Sequence, residues 1–362
     1  MSDTRTSDPR AALRRAKRVV IKIGSSTLAR DDGAHDRLAA AIAALREDKR
    51  GVVLVSSGAI ALGARKLGYR GRPKEIAKLQ AAASAGQSLL MRAYEEAFAR
   101  VKLPVAQVLL THADLADRVR ANNARAALAE LLDAGAVPIL NENDAVAVEE
   151  IKFGDNDELS AMVTPLVAAD VLVLLSDVSG LLDARGERVR TVRDVATEAL
   201  PLVRAKKSDV GTGGMASKIE AARRATLAGA HVVIADASAD DVLGRIFAGE
   251  DEGTLFVAAT ARLPAKKHWI AFTLRPRGDL WLDAGAAKAV REKGTSVLAV
   301  GVAGVRGDFR AGDSVRLVAM DGTELGRGLA RASATDAVLR AGRKDTSEER
   351  AVLVHRDELV VW

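Results

Sequence analysis

Between Val19 and Phe256, short apolar runs rich in β-branched residues alternate with longer Ala- and Leu-rich stretches, and few folds accept that alternation. The runs are Val19–Ile23, Val52–Val55, Val105–Leu110, Ala136–Leu140, Val171–Leu175 and His231–Ile234. They are continuously apolar, which suits a strand only when both of its faces are covered. The stretches between them, such as Arg37–Leu45, Ile76–Arg100 and Ala121–Leu132, space their apolar residues as a helix does. Doubly covered strands separated by helices predict an α/β three-layer sandwich with a mostly parallel sheet over residues 18–258. Ligands of such sheets sit beyond the carboxyl ends of the strands.

The pattern changes after Ala258. Residues 259–267 contain Pro264, Lys266 and Lys267 and read as a linker. Beyond it, Gly and Asp punctuate short β-type runs at Ser296–Val302, Ser314–Val318, Glu324–Leu329 and Ala351–His355, which predicts a small β-rich domain over residues 268–362. Two domains suit a chain of 362 residues. Aromatic residues are only 3% of it, so Ala, Val and Leu must fill the cores.

The chain has no cysteine, which excludes disulfides, thiolate metal sites and a cysteine nucleophile. No apolar run is long enough to cross a bilayer, and the start of the chain lacks the apolar stretch of a secretory signal. The expectation is a soluble cytoplasmic protein whose residues 1–17 form a flexible basic tail. The net charge is +6, of which residues 1–18 carry +4, residues 19–267 none and residues 268–362 +2. A nucleic-acid binder concentrates positive charge on its recognition domain, so this distribution argues against one.

Six stretches carry candidate chemistry. Lys22 stands near the end of an apolar strand, and after Ile23 come Gly24 and two serines, an arrangement that can bring backbone N–H groups and a point charge to a phosphate. Ser56-Ser57-Gly58-Ala59 again turns from strand to helix, where free N–H groups bind anions; no Gly-Lys-Ser/Thr follows, so this is not a Walker loop. Asn141-Glu142-Asn143-Asp144 sets four polar side chains directly after a buried strand, and a carboxylate such as Asp144 can partner an ammonium group. Gly154-Asp155-Asn156-Asp157-Glu158 reads as an acidic helix start, without the pattern of a calcium loop. Ser176-Asp177 follows another strand, as a turn or a nucleotide contact. Gly211-Thr212-Gly213-Gly214-Met215-Ala216-Ser217-Lys218 is a Gly-rich loop entering a helix that carries a lysine, good geometry for a polyphosphate. Two lysines and several Gly turns at the carboxyl ends of one sheet suggest phosphoryl transfer, which needs charge neutralisation and alignment more than a covalent nucleophile.

In order and spacing, Ser-Ser-Gly-Ala-Ile-Ala-x-Gly, Asn-Glu-Asn-Asp-Ala-Val, Gly-Asp-Asn-Asp-x-Leu-Ser and Gly-Thr-Gly-Gly-Met-x-x-Lys resemble the amino-acid kinase superfamily and, within it, the glutamate 5-kinase family, over residues 18–256. Residues 268–362 resemble a PUA domain, through Gly278, Leu280, Asp283, Gly285 and Ala286, then Gly301, and then Gly307, Phe309, Gly312 and Asp313. The resemblance implies ATP, used with Mg2+, as phosphoryl donor and L-glutamate as acceptor. It places Lys22 and Lys218 on the transferring phosphoryl group, Asp157 between them, and the N–H groups of Gly24 and Gly58 on its oxygens. It assigns glutamate to Ser57, Asn141, Asp144 and Asn156, and ATP to Lys22, Ser176, Asp177 and Thr212, Gly213, Gly214, Met215, Ala216, Ser217 and Lys218. It further implies feedback inhibition by proline and a homo-oligomer, a dimer or tetramer. Protein ligands for the metal are not evident in the sequence. The alternatives are another kinase of the superfamily, acting on N-acetylglutamate, aspartate, carbamate or a nucleoside monophosphate, and RNA binding by the PUA-like segment.

Overall fold

Val19, Ile21 and Ile23 point to one side of strand β1 (Arg18–Ile23), and Val20 and Lys22 to the other. Both sides are covered, so the strand has no polar face. The computed structural model describes residues 8–29, 33–147, 156–205, 214–260, 262–344 and 351–362. They form two compact units, divided between Arg262 and Leu263.

The first unit is built on an eight-stranded sheet in the order β3-β4-β2-β1-β5-β7-β8-β6. Its strands after β1 are β2 (Gly51–Ser56), β3 (Val105–Leu110), β4 (Val137–Glu142), β5 (Val171–Ser176), β6 (Thr191–Val192), β7 (His231–Asp236) and β8 (Thr254–Phe256). The first six in spatial order run parallel, while β8 pairs antiparallel to β7 and carries β6 at the edge. The helices are α1 (Ala11–Arg15), α2 (Ser25–Ala29), α3 (Ala34–Glu47), α4 (Ala59–Lys66), α5 (Ile76–Arg100), α6 (His112–Ala116), α7 (Arg118–Asp133), α8 (Asn156–Leu166), α9 (Leu200–Ala205), α10 (Met215–Leu227) and α11 (Val242–Phe247). Leu38 and Ile42 of α3, Leu90, Tyr94 and Phe98 of α5 and Ile246 of α11 bury one face of the sheet. Leu128 of α7, Leu159 and Val163 of α8 and Ile219 and Ala222 of α10 bury the other. Three layers result, as expected. The chain steps from β1 outward to β2, then returns past β1 to β5, so the order of strands reverses around β1 and opens a crevice at its carboxyl end.

The second unit holds a six-stranded sheet, β10-β14-β13-β12-β9-β11. Its strands are β9 (Gly278–Leu282), β10 (Val297–Leu298), β11 (Val302–Gly307), β12 (Ser314–Ala319), β13 (Glu324–Ala330) and β14 (Val352–Val361), with helices α12 (Ala265–His268), α13 (Ala284–Lys293) and α14 (Ala334–Arg340). Leu280, Phe309, Val315, Leu317 and Val354 centre its core.

Three expectations need correction. The basic start of the chain is not loose from residue 8 onward. Arg10 is 6% exposed and donates to the carbonyls of Glu250, Glu252, Gly253 and Arg190, while Leu13 is buried in the first core. A guanidinium with five donors can satisfy four carbonyls at once, which a flexible reading of a basic segment overlooks. Residues 265–267, read as linker, belong to the second unit: Lys266 Nζ lies 2.9 Å from Glu358 Oε1, and Lys267 Nζ donates to the Arg356 carbonyl. The run Ser296–Val302 is not one strand. A turn at Ala299–Gly301 splits it, and Gly301 there passes so close to α13 that a Cβ would fall 2.5 Å from Ala286 Cβ.

Candidate active site

Strand register places Lys22 level with Val55 of β2 and Leu174 of β5, so the turns that follow those strands, Ser57-Gly58 and Ser176-Asp177, flank it. Lys22 is only 7% exposed. An ammonium buried this far needs a counter-charge. Asp157, in the first turn of α8 and fully buried, supplies it: Oδ1 lies 2.6 Å from Lys22 Nζ, and Oδ2 lies 3.4 Å from Nζ of Lys218 on α10. Ser217 Oγ donates to the same Oδ2 at 2.9 Å. Burial pushes the Asp157 carboxyl up, but the charges of Lys22 and Lys218, with hydrogen bonds from Lys22 and Ser217, outweigh it and hold the group below the ordinary aspartate range. Two cations on one anion leave a net positive charge where the dielectric is low, which favours an incoming anion. Farther along α10, Arg224 pairs with Glu158, the neighbour of Asp157 on α8, and with Glu220 of its own helix, tying together the two helices that carry Asp157 and Lys218.

The turn after β2 has a second construction. Gly58 has φ +118, a conformation that strains any residue with a Cβ. It opens α4, whose first N–H groups have no partner within the helix. The approach of α4 to α5 is set by two glycines. A Cβ on Gly63 would lie 1.7 Å from the Ala82 carbonyl oxygen, and one on Gly86 would lie 1.8 Å from that of Ala59. Two turns on, the Tyr94 hydroxyl meets Ser56 Oγ at 2.7 Å inside the core, and burial pushes the phenol far above its ordinary range. Gly24 is different: it has no positive φ, and a Cβ there would meet only Ser26 Oγ at 3.8 Å, so the protein's own packing does not demand glycine.

The β4 turn completes the site. Asn156 Nδ2 donates to the Ser56 carbonyl at 2.8 Å, to Ser57 Oγ at 2.7 Å and to Asn141 Oδ1 at 3.0 Å. Ser57 Oγ accepts there, which frees its own O–H to donate to a ligand. Asp144 is 9% exposed. Burial pushes its carboxyl up to about 6, relieved only by the charge of Arg72, and among the described residues no hydrogen bond reaches it. Lys22, Gly24, Ser57, Gly58, Asn141, Asp144, Asn156, Ser176, Asp177 and Lys218 line one cleft of about 500 Å³, with Tyr69 and Arg72 at its wall. Asp157 lies beneath. Ser176 Oγ donates to Asp177 Oδ1 at 3.1 Å. Gly214 precedes α10, and Met215, Ala216 and Ser217 form its first turn without lining the cleft. Thr212 and Gly213 lie outside the described residues, as do the residues just before Asn156. The sequence reading missed Tyr94, Gly86 and Arg72, and took Gly63 only as part of the motif that follows β2. Of the missed residues only Gly86, an isolated glycine within a helical stretch, carries a signal.

A mostly parallel sheet with clustered lysines at its carboxyl edge is the architecture of a phosphoryl-transfer enzyme, and the comparisons agree. Residues 17–236 match the amino acid kinase family, and residues 278–352 match the PUA domain. A carbamate kinase structure from Giardia superposes with a TM-score of 0.50 at 18% identity, covering 67% of this chain and 98% of that one, a likeness of fold. Similar proteins include a glutamate 5-kinase of Trichlorobacter lovleyi, 45% identical over 97% of this chain and 98% of its own, and one of Ralstonia nicotianae, 48% identical over 97% and 99%. The chain belongs to the glutamate 5-kinase family, within the amino acid kinases.

Proposed function

We propose that this chain phosphorylates the γ-carboxylate of L-glutamate with ATP, giving L-glutamyl 5-phosphate and ADP, the first step of proline biosynthesis from glutamate. The observation that carries the reading beyond family membership is Asp144, a buried carboxylate that no hydrogen-bond donor among the described residues reaches, in the same cleft as the paired lysines. Such a group wants a cation from the substrate, and free glutamate has an ammonium group to give. β4 stands two strands from β1, roughly 10 Å away. That separation suits a short diacid with its ammonium at Asp144 and its far carboxylate near Lys22. Arg72 is the cation beside Asp144 suited to the α-carboxylate.

The γ-carboxylate is ionised near neutral pH, so it attacks without a general base. A bond forms between a carboxylate oxygen and the γ-phosphorus as the bond to the β-phosphate oxygen breaks, and ADP departs with that electron pair. Lys22 and Lys218 neutralise the three negative groups that converge, with Asp157 holding both ammonium groups in place. The N–H groups of Gly24 and Gly58 donate to the phosphoryl oxygens, and Ser57, Asn141 and Asn156 orient glutamate. Ser176, Asp177 and the segment from Thr212 and Gly213 through Lys218 hold the nucleotide. Among the described residues no three His, Cys, Asp or Glu side chains converge as a cage. Mg2+ bound with the nucleotide would offset the charge of the phosphates. Inhibition by proline at the glutamate site, a homo-oligomeric state and a cytoplasmic location, where ATP and free glutamate are abundant, complete the proposal; no helix among the described residues is long and apolar enough to cross a membrane.

Trapping the acyl phosphate as its hydroxamate tests this. Product with ATP, Mg2+ and L-glutamate, but none with N-acetyl-L-glutamate, is expected. Product with the acetylated substrate alone would overturn the ammonium role of Asp144 and with it the substrate.

A further inference from the structure

Helix α5 touches the substrate-binding turn through two glutamines. Gln87 Oε1 accepts from Asn141 Nδ2 at 2.9 Å, and Gln80 Nε2 donates to the Ala147 carbonyl at 3.2 Å. Seven residues of helix separate them, about 10 Å, so they lie two turns apart on one face. Between the points they hold, residues 141–147 carry both Asn141 and Asp144.

The amide orientations are forced by their neighbours. Asn156 Nδ2 faces the Ser56 carbonyl, which can only accept. Asn141 Oδ1 faces the Glu142 backbone N–H, which can only donate, and it also receives Asn156 Nδ2. The nitrogen of Asn141 must therefore face Gln87, and Gln87 must answer with its oxygen. Its own Nε2 is then buried without an acceptor among the described residues. A buried donor left unpaired costs stability, so the packing alone gives no reason for glutamine at this place. What Gln87 provides is an acceptor that stops Asn141 from rotating end for end. A rotated Asn141 would turn its NH2 toward Asn156 Nδ2 and the Glu142 N–H, and the chain of bonds that sets Ser57 and Asn156 would break.

We infer that Gln87 and Gln80 are positioning residues for glutamate binding, Gln87 acting as an acceptor through Asn141 and Asn156, and Gln80 acting as a donor that holds the segment bearing Asp144. Neither lines the cleft. The inference rests on the proposed substrate.

The two roles have opposite polarity, so one substitution separates them. Gln→Glu keeps an acceptor and removes the donor. In the full chain, Gln87→Glu is expected to hold the glutamate KM within about threefold of wild type, whereas Gln80→Glu and Gln87→Met raise it about tenfold, the loss of roughly one hydrogen bond's discrimination. The KM for ATP should stay within about twofold in all three, since no nucleotide contact changes. Thermal midpoints should not follow the same order: Gln87→Glu brings charge into a half-buried place and should melt earlier than Gln87→Met. Equal glutamate KM values for Gln87→Met and wild type, equal damage by Gln87→Glu and Gln87→Met, or parallel rises in both KM values would overturn the inference. Wild-type protein that makes no hydroxamate from glutamate would instead overturn the substrate, and the inference with it.

Discussion

Asp157 bridges Lys22 and Lys218, its two carboxylate oxygens 2.6 Å and 3.4 Å from their ammonium nitrogens. One fully buried anion thus fixes two cations that come from a strand end and a helix start almost two hundred residues apart in the chain.

Removing either cation while keeping its stem should stop the chemistry and spare substrate binding. Lys22→Met and Lys218→Met are each expected to lower kcat by about 10²–10³, the range of a lost electrostatic donor at a transition state. The glutamate KM should change little. Steady-state kinetics with saturating ATP checks this, and near-wild-type kcat in either variant would remove that lysine from the mechanism.

Asp144 titrates in an experimentally convenient range. Its folded value is raised to about 6 from an ordinary 3.8, so the folded state prefers the protonated form. Between these values the native protein binds more protons than the unfolded one, and the stabilisation present below about pH 4 is lost as pH rises through 6. Binding has the opposite sign, because an ammonium ligand needs the ionised carboxylate. The glutamate KM should fall as pH rises from 5 to 7, with an inflection near 6. In Asp144→Asn that inflection should vanish, and a profile that keeps it would assign the titration to another group.

The crossing of α4 and α5 leaves no room for a methyl group. Gly63→Ala gains helix propensity of about 1 kcal/mol but must push aside the Ala82 carbonyl, an overpacking cost of roughly 3 kcal/mol. A net loss of about 2 kcal/mol should lower the melting temperature by roughly 5 °C. Calorimetry that finds the variant as stable as wild type would mean the helices can part freely.

Arg10 should matter more than its place near the start of the chain suggests. Arg10→Ala abandons four carbonyls and the ion pair with Asp251, at 3.2 Å, and should cost about 3 kcal/mol. A thermal shift measured beside Arg14→Ala, whose side chain is more exposed, would separate the anchor from general charge.

Much of this molecule was legible in its sequence, and for identifiable reasons. Strands β1, β2 and β5, which end in Ile23, Ser56 and Ser176, are covered on both faces and so mostly apolar, and each read correctly to within two residues. Helix α5 runs between the expected residues, Ile76 and Arg100. The second unit was less legible. Its strands are half exposed, and α13 went unread although Asp283 caps its start and Gly294 ends it in a left-handed turn. The supports of the site were the least visible. Tyr94 acts on Ser56, and Gly86 on Ala59, across 38 and 27 positions of sequence. Such couplings depend on how two helices cross, and no local pattern encodes that.

The bridge at Asp157 also has a consequence in time. A ribosome makes Lys22 early, Asp157 near the middle and Lys218 only after some three-fifths of the chain. Until α10 has emerged and docked, Asp157 has one cation and the cleft lacks half its charge. A nascent or prematurely ended chain can therefore hold most of the sheet and still be unable to consume ATP.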